Sequence, residues 1–492
     1  MARPTETTPF GRGLFKRTVL LTVGRFVSKL MVFFMVRLYT ACLSPAEYSA
    51  ADLIADMANL LIPLASLGVS EGIFRNAADR ARDKETYLTA GLFLLGGGSL
   101  LFLCLSPLLT CIPLFSETAW LIVLYVLLSN IHSVVSQYLF AIGRVRLFAG
   151  QGILNTALLI GLNILFLPVL KLGVTGYIMS TFIADGLTTL FLVLYTRLWR
   201  SVKRLPRREL WDTVRGLLRF CLPLVPATLC WWITSVSDRY MIYYMRSAAE
   251  NGLYTAAYKI PTILTLAVSI FSTAWKGSIS AEEDDPVLWS RHYTYSWRGY
   301  TAVAFFGGGC LILVSRVLAN ILYADAYRGA WVYIPVLIVA TLLCGLDTFL
   351  DSVYFTARRT TWSMISALTG AVLNILLNAL WIPEHGALGA SVATLLSYLA
   401  VLILRLITTR RLIGFRQAPL RLGGNILLLS AEAALMTAAG EGYLSPLPGY
   451  AAAGACLAGL IALNARPLLQ LLNRLLHRSH SCADGKETSE DI

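Results

Sequence analysis

Leu158-Leu159-Ile160-Gly161-Leu162-Asn163-Ile164-Leu165-Phe166-Leu167-Pro168-Val169-Leu170 holds no charged residue and one amide side chain. With its flanks it makes an apolar segment of about 20 residues, enough to cross roughly 30 Å of hydrocarbon as a helix. Leu187–Tyr195, Ile260–Ala274 and Ala330–Cys344 read the same way. Backbone polar groups find no water inside lipid, so repeated runs of this length imply membrane-spanning helices. Composition agrees. Of 492 residues 57% are hydrophobic and only 14% charged, where a soluble chain carries about a quarter.

Working outward from this run gives about fourteen spans. The second is expected at 50–72, the seventh at 217–238, and the eleventh and twelfth at 362–382 and 387–409. Cytoplasmic loops collect Lys and Arg. With the N-terminus inside, that side receives Arg12, Lys16 and Arg17, then Arg75 to Lys84, Arg144 with Arg146, and the dense run from Arg197 to Arg219. Lys276, Arg291, Arg298, Arg358 and Arg359 follow, then Arg405, Arg410, Arg411, Arg416 and Arg421. The outer loops hold only Lys171, Arg246 and Arg328. The net charge of +13 is therefore an orientation signal, and nucleic acid is not expected as a partner. The expected location is the inner membrane, with both termini cytoplasmic. Met1–Lys16 is short and basic and Thr18–Tyr39 shows no evident cleavage site, which reads as a retained signal-anchor helix. The nine cysteines form no CxxC pair and read as small packing residues.

The opening run has a twin. Leu162-Asn163-Ile164-Leu165 recurs as Leu373-Asn374-Ile375-Leu376, each followed by a proline, a short turn and a Gly-x-x-Gly, Gly173 with Gly176 and Gly386 with Gly389. Pro45-Ala46-Glu47-Tyr48-Ser49 matches Ala248-Ala249-Glu250-Asn251-Gly252 more loosely. The chain thus reads as a parallel repeat. An N-lobe of six spans covers 1–195, a basic cytoplasmic linker 196–216, and a C-lobe of six spans 217–411. Two appended spans cover 412–465, and a cytoplasmic tail 466–492.

Charge inside a bilayer costs roughly 3 kcal/mol or more per group and marks cavities and ion paths. Arg25 and Lys29, at i,i+4, share one face of span 1, with Arg37 near its outer end. Asp52, Asp56 and Asn59 make a polar stripe on span 2; if the two stripes face each other, they form a charged wall in the N-lobe. Asp238 and Arg239 sit on span 7, Lys259 on span 8, Asp347 and Asp351 one turn apart on span 10, and Glu432 on span 13. The cations suit phosphate oxygens and the carboxylates suit H⁺ or Na⁺; interhelical pairing is the plainer alternative for each. His132 reads as a bonded packing residue. Pro223 with Pro226 should kink span 7, Gly96–Gly98 and Gly307–Gly309 should admit close helix packing, and Glu282–Asp285 reads as a solvated loop.

No GxxxxGK[ST] loop, HExxH, nucleophile elbow or cysteine–histidine cluster is present, and no TVGYG filter. The reading is therefore a non-enzyme without cofactor or metal.

Certain stretches carry a family likeness. Leu30-Met31-Val32-Phe33-Phe34-Met35-Val36-Arg37-Leu38-Tyr39-Thr40 and Leu43-Ser44-Pro45-Ala46-Glu47-Tyr48 resemble the first span and turn of bacterial polysaccharide transport proteins. Leu67-Gly68-Val69-Ser70-Glu71-Gly72-Ile73-Phe74-Arg75 is similar to their end of span 2. Ser237-Asp238-Arg239-Tyr240 and Glu250 to Ile260 resemble their spans 7 and 8. These are the O-antigen and capsule-type oligosaccharide flippases of the multidrug/oligosaccharidyl-lipid/polysaccharide exporter superfamily. The resemblance implies an all-α, MATE-like fold of two six-helix lobes plus two C-terminal helices, working by alternating access in the bacterial cytoplasmic membrane. The implied substrate is an undecaprenyl-pyrophosphate-linked oligosaccharide. Membrane lipid, H⁺ or Na⁺, and a polysaccharide polymerase or glycosyltransferases are the partners in view. Arg37, Asp238, Arg239 and Lys259 match the family by position, whereas Arg25 and Lys29 rest on the cavity argument. Lipid II flippases differ, because their Arg-Asp pair late in span 1 is absent here: Leu38 follows Arg37. Spore-cortex flippases, drug/cation antiporters and a scaffold of a polysaccharide synthase are the other readings.

Overall fold

The computed structural model describes residues 31, 33–77, 83–279, 286–357 and 359–483. Among these no strand occurs. In chain order the α-helices are Val36–Cys42 (α1), Pro45–Ala65 (α2), Val69–Ala77 (α3), Lys84–Leu105 (α4), Ala119–Ala141 (α5), Val145–Ile164 (α6), Gly173–Thr196 (α7) and Arg207–Cys221 (α8). Leu224–Met245 (α9), Ala248–Lys259 (α10), Thr262–Ile279 (α11), Pro286–Leu322 (α12), Ile334–Thr356 (α13), Thr360–Leu412 (α14), Pro419–Gly440 (α15) and Pro446–Ala483 (α16) follow.

Nine helices among the described residues are long and apolar enough to cross a membrane, and up to eleven if each of two bent pairs is one span. The chain is a multi-pass membrane protein. Leu100, Leu101, Leu108, Leu190 and Leu380 are all more than half exposed, which suits lipid rather than water. Span 2 is broken rather than continuous: α2 and α3 meet at 55° across Leu67 and Gly68, both at positive φ. Span 8 bends by 42° between α10 and α11. The spans expected at 362–382 and 387–409 run together as α14, whose kink is Gly386 at φ 58°, ψ −138°, backbone that essentially only glycine adopts. The kink expected at Pro223 is a full break: α8 ends at Cys221 and α9 starts at Leu224. Pro226 falls in the first turn of α9, where a missing N–H costs nothing. The acidic run Glu282–Asp285 lies outside the described residues.

By contacts the chain divides into two compact units, 1–255 with 322–327, and 256–321 with 328–492. In the first, Ile54 and Ala58 of α2 pack with Leu121, Ile122 and Val126 of α5 and Ile178 of α7. A second cluster joins Val69 and Ile73 of α3, Leu88 of α4, Val134 of α5 and Leu217 of α8. In the second unit α13 is the interior helix, 78% buried over its most apolar window, while α16 is 17% buried and faces outward.

The repeated motif builds the same device in each unit. Gly173 and Gly386 both take positive φ and turn the chain into the next helical run. Three residues on, Gly176 lies against Phe166, and Gly389 against the Trp381 carbonyl, where an added Cβ would come within 2.7 Å. Asn163 accepts a bond from Ser180 at 2.9 Å, and Asn374 donates to Thr394 at 3.3 Å. Each amide thus ties its helix to the run after the turn.

The start of α2 is written in Ser44-Pro45-Ala46-Glu47, a capping box in which Ser44 Oγ accepts the Glu47 N–H and Glu47 accepts the Ser44 N–H at 2.8 Å. Here α10 comes unusually close: a Cβ on Gly252 would sit 1.8 Å from the Pro45 carbonyl oxygen. Backbone cannot yield as a side chain can, so Gly252→Ala should cost about 1–3 kcal/mol. Its apparent melting temperature in detergent should fall by several degrees, while Gly97→Ala, with nothing within 4 Å, should leave it unchanged.

Candidate functional site

The first unit buries an ionic cluster on the polar stripe of α2. Asp52 and Asp56, at i,i+4, both accept from Arg239 Nη1, at 2.7 and 2.9 Å. Side-chain exposure is 8% and 19% for the aspartates and 15% for the arginine. The neighbouring Asp238, 4% exposed, accepts the Arg239 backbone N–H at 2.9 Å and the Tyr254 hydroxyl at 2.6 Å. Further bonds fix the helices around it. Tyr240 donates to the Leu53 carbonyl and Trp232 to the Asp56 carbonyl, both at 2.9 Å, and Asn251 donates to Ser49 at 2.8 Å. Among the described residues, the guanidinium thus bonds two carboxylates, with a third carboxyl on the adjacent residue.

The other expected residues lie elsewhere. Arg25 and Lys29 fall outside the described residues, so their stripe is not seen; Arg239 meets Asp52 and Asp56. Arg37 Nη1 donates to the Tyr323 carbonyl, where Thr40 also accepts the Ala324 N–H at 3.1 Å. Lys259 is the last residue of α10, in the second unit, its carbonyl accepting from Thr262.

Asp347 and Asp351 belong to a second cluster, in the second unit. Arg405 approaches Asp351 Oδ1 at 3.3 Å and donates to the Asp347 carbonyl at 2.6 Å and to Ser366 at 3.0 Å. Its guanidinium also lies 5.9 Å from the Tyr354 ring. Ser363 donates to Asp351. Asp347 is 5% exposed and its carboxyl oxygens have no hydrogen-bond partner among the described residues. This corrects the reading of Arg405 as a loop cation: it is 7% exposed, because a helix two turns from its end still buries the face turned to its neighbours. Glu432 is fully buried on α15 with neither oxygen bonded among the described residues. A Cβ on Gly309 would lie 3.1 Å from its Oε2, so the glycine makes room for the carboxyl as well as for Leu457.

A third polar group went unnoticed in the sequence. Asp185 of α7 accepts from Ser129 at 2.5 Å and from Asn155 at 2.7 Å, and His132 bonds Thr189 at 3.1 Å. The signal was available, since Asp185 stands in the middle of an apolar span just as Asp52 does.

Cutting one member of a buried ion pair strands the others, at about 3–5 kcal/mol. Arg239→Gln alone should therefore lower the detergent melting temperature more than the triple change Asp52→Asn, Asp56→Asn, Arg239→Gln, which removes the stranded charges. Equal losses would mean that the pairing holds nothing together.

A search of curated protein sequences finds no match. Among solved structures, the chain is similar to the lipid II flippase MurJ in an inward closed conformation, with TM-score 0.68 at 14% identity over 92% of this chain and 100% of that one. It is similar to an inward-facing multidrug resistance MATE transporter of the MOP superfamily, with TM-score 0.63 at 16% identity over 79% and 98%. A MOP-superfamily transporter from Pyrococcus furiosus gives 0.55 at 16% over 81% and 96%. At these identities the likeness shows the fold, which is MATE-like. The profile described as polysaccharide biosynthesis protein matches residues 14–276, more than half of the sequence, and the chain belongs to that family.

Proposed function

We propose that this protein flips an undecaprenyl-pyrophosphate-linked oligosaccharide from the cytoplasmic to the outer leaflet of the bacterial cytoplasmic membrane, by alternating access. On this reading Arg239 is the group that takes the diphosphate. The observation that carries it is a guanidinium held by two carboxylates inside a membrane-spanning unit. A polyprenyl tail can stay in lipid throughout, but sugar and diphosphate cannot enter hydrocarbon without polar partners. Arg239 is such a partner, and its bonds to Asp52 and Asp56 hold its Nη1 until an anion arrives.

Charge balance supports ion coupling. Asp52 and Asp56 both hold Arg239, so a proton or Na⁺ taken up by either carboxylate would loosen that hold and admit the diphosphate. Asp347 and Asp351 beside Arg405 stand in a similar imbalance. Arg37 and Lys259 remain proposed substrate contacts, as do Arg25 and Lys29. Family membership and the fold support a transporter rather than an enzyme. The lobes at 1–195 and 217–411, the linker 196–216, the appended spans 412–465 and the cytoplasmic tail 466–492 belong to the same proposal. So do cytoplasmic termini and a polymerase or glycosyltransferase partner.

The test is complementation of a strain lacking its own flippase. Arg239→Gln should reduce surface glycan, normalised to the amount of protein in the membrane, to below about a tenth of wild type, the scale of one lost charge-assisted contact. Asp52→Asn with Asp56→Asn should keep transport but weaken its dependence on an imposed pH gradient in proteoliposomes. Normal surface glycan with Arg239→Gln would end the assignment. Export of cationic dyes with no change in glycan would favour an antiporter.

A further inference from the structure

α8 presents two unlike faces. Val214, Leu217 and Cys221 are buried, with Leu210 and Leu218 alongside, against the Val69, Ile73, Leu88 and Val134 cluster. Gly72 admits this approach, since a Cβ there would lie 2.5 Å from Cys221 Sγ. On the opposite side Arg208, Arg215 and Arg219 are exposed and recur at i, i+7 and i+11, which places them on one stripe. Trp211 lies on the flank between the two, 52% exposed and edge-on to Phe93 at 5.9 Å. Phe93, itself 50% exposed, belongs to α4, one of the helices apolar enough to span. That flank of α8 is therefore continuous with a lipid-facing surface.

The segment leading into α8 repeats the pattern, with Trp199 half exposed beside the exposed Arg197, Arg200 and Arg204. Lys203 is already engaged, at 3.0 Å from Asp83 and 2.8 Å from Glu85. Its ammonium, bonded to Asp83, holds that carboxyl below the usual carboxylate range. Glu209 and Asp212 are the acidic residues of α8, so the exposed side keeps an excess of arginine.

We propose that the exposed stripe of α8 is a binding surface for anionic phospholipid headgroups, with Trp211 at the acyl boundary and Arg208, Arg215 and Arg219 on the phosphates. An arginine row flanked by an aromatic ring that continues onto a spanning helix fits the edge of a leaflet. An acidic soluble protein would pair with the arginines but leave Trp211 and Phe93 without an apolar partner. The proposal is independent of transport, and its readout is lipid retention.

The experiment is native mass spectrometry of the purified full-length protein titrated with phosphatidylglycerol or phosphatidylcholine. Wild type should retain about fivefold or more of the anionic lipid relative to the zwitterionic one, the order expected from even one arginine near a charged surface. Arg208→Gln, Arg215→Gln, Arg219→Gln together should abolish that preference. Arg144→Gln, Arg146→Gln, Arg416→Gln, with the same loss of charge at other exposed positions, should keep it; monodisperse elution checks that both variants are folded. Equal retention of the two lipids by wild type, an unchanged preference in the α8 variant, or an equal loss in the control would each overturn the site.

Discussion

Arg239 pinned between Asp52 and Asp56 is the contact on which the arrangement of the first unit turns. In a medium without water, a guanidinium must find its anions within reach or not be there at all. Satisfying this one fixes the rotation of α2 and α9 about their axes. The rest of the α2 stripe then falls into register: Ser49 meets Asn251, the Leu53 carbonyl meets Tyr240, and the Asp56 carbonyl meets Trp232. These positions recur at three to four residues, the spacing of one helical face. Gly252 completes the fit by letting α10 touch the Pro45 carbonyl at the start of the same helix. A face that seemed expensive in the sequence is the face that orders its neighbours.

What the sequence disclosed was periodicity and sign. Helical class, apolar spans and the twin Asn–Gly devices were all readable, because each depends on residues close together along the chain. Partners were not readable. Among the described residues, the cation that meets Asp52 and Asp56 is Arg239, 187 and 183 residues further on. A helical wheel says which side a carboxylate is on and is silent about which helix comes to that side.

Arg405 and Asp185 show two other ways of losing information. Arg405 counts in sequence with the cytoplasmic basic residues, whereas burial depends on which way the side chain points around the helix axis. Orientation by loop charge tolerates that error, since removing one cation from a long basic run leaves the alternation intact. Asp185 was passed over because no neighbour in sequence completes a motif with it. Its ligands, Ser129 and Asn155, come from two other helices and are neutral. A single carboxylate amid apolar residues is weak as a pattern and strong as physics, because its cost must be met by something.

The two arginine clusters differ in how fully they meet that cost, and the difference bears on which can act. Arg239 places one nitrogen on both members of an i,i+4 aspartate pair, so that pair is held as a unit. Arg405 reaches only Asp351 of its pair by side chain; its other bonds go to a carbonyl and a hydroxyl. Neutral acceptors do not leave when a proton or an anion arrives, whereas carboxylates can exchange one ionic partner for another of like charge. On the proposed reading, an incoming diphosphate would replace Asp52 and Asp56 at Arg239, one anion for another. At Arg405 the same anion would have to displace a carbonyl and a hydroxyl as well as Asp351, and no change of protonation weakens those two bonds. On the proposed reading, anion exchange is therefore easier at the first cluster than at the second.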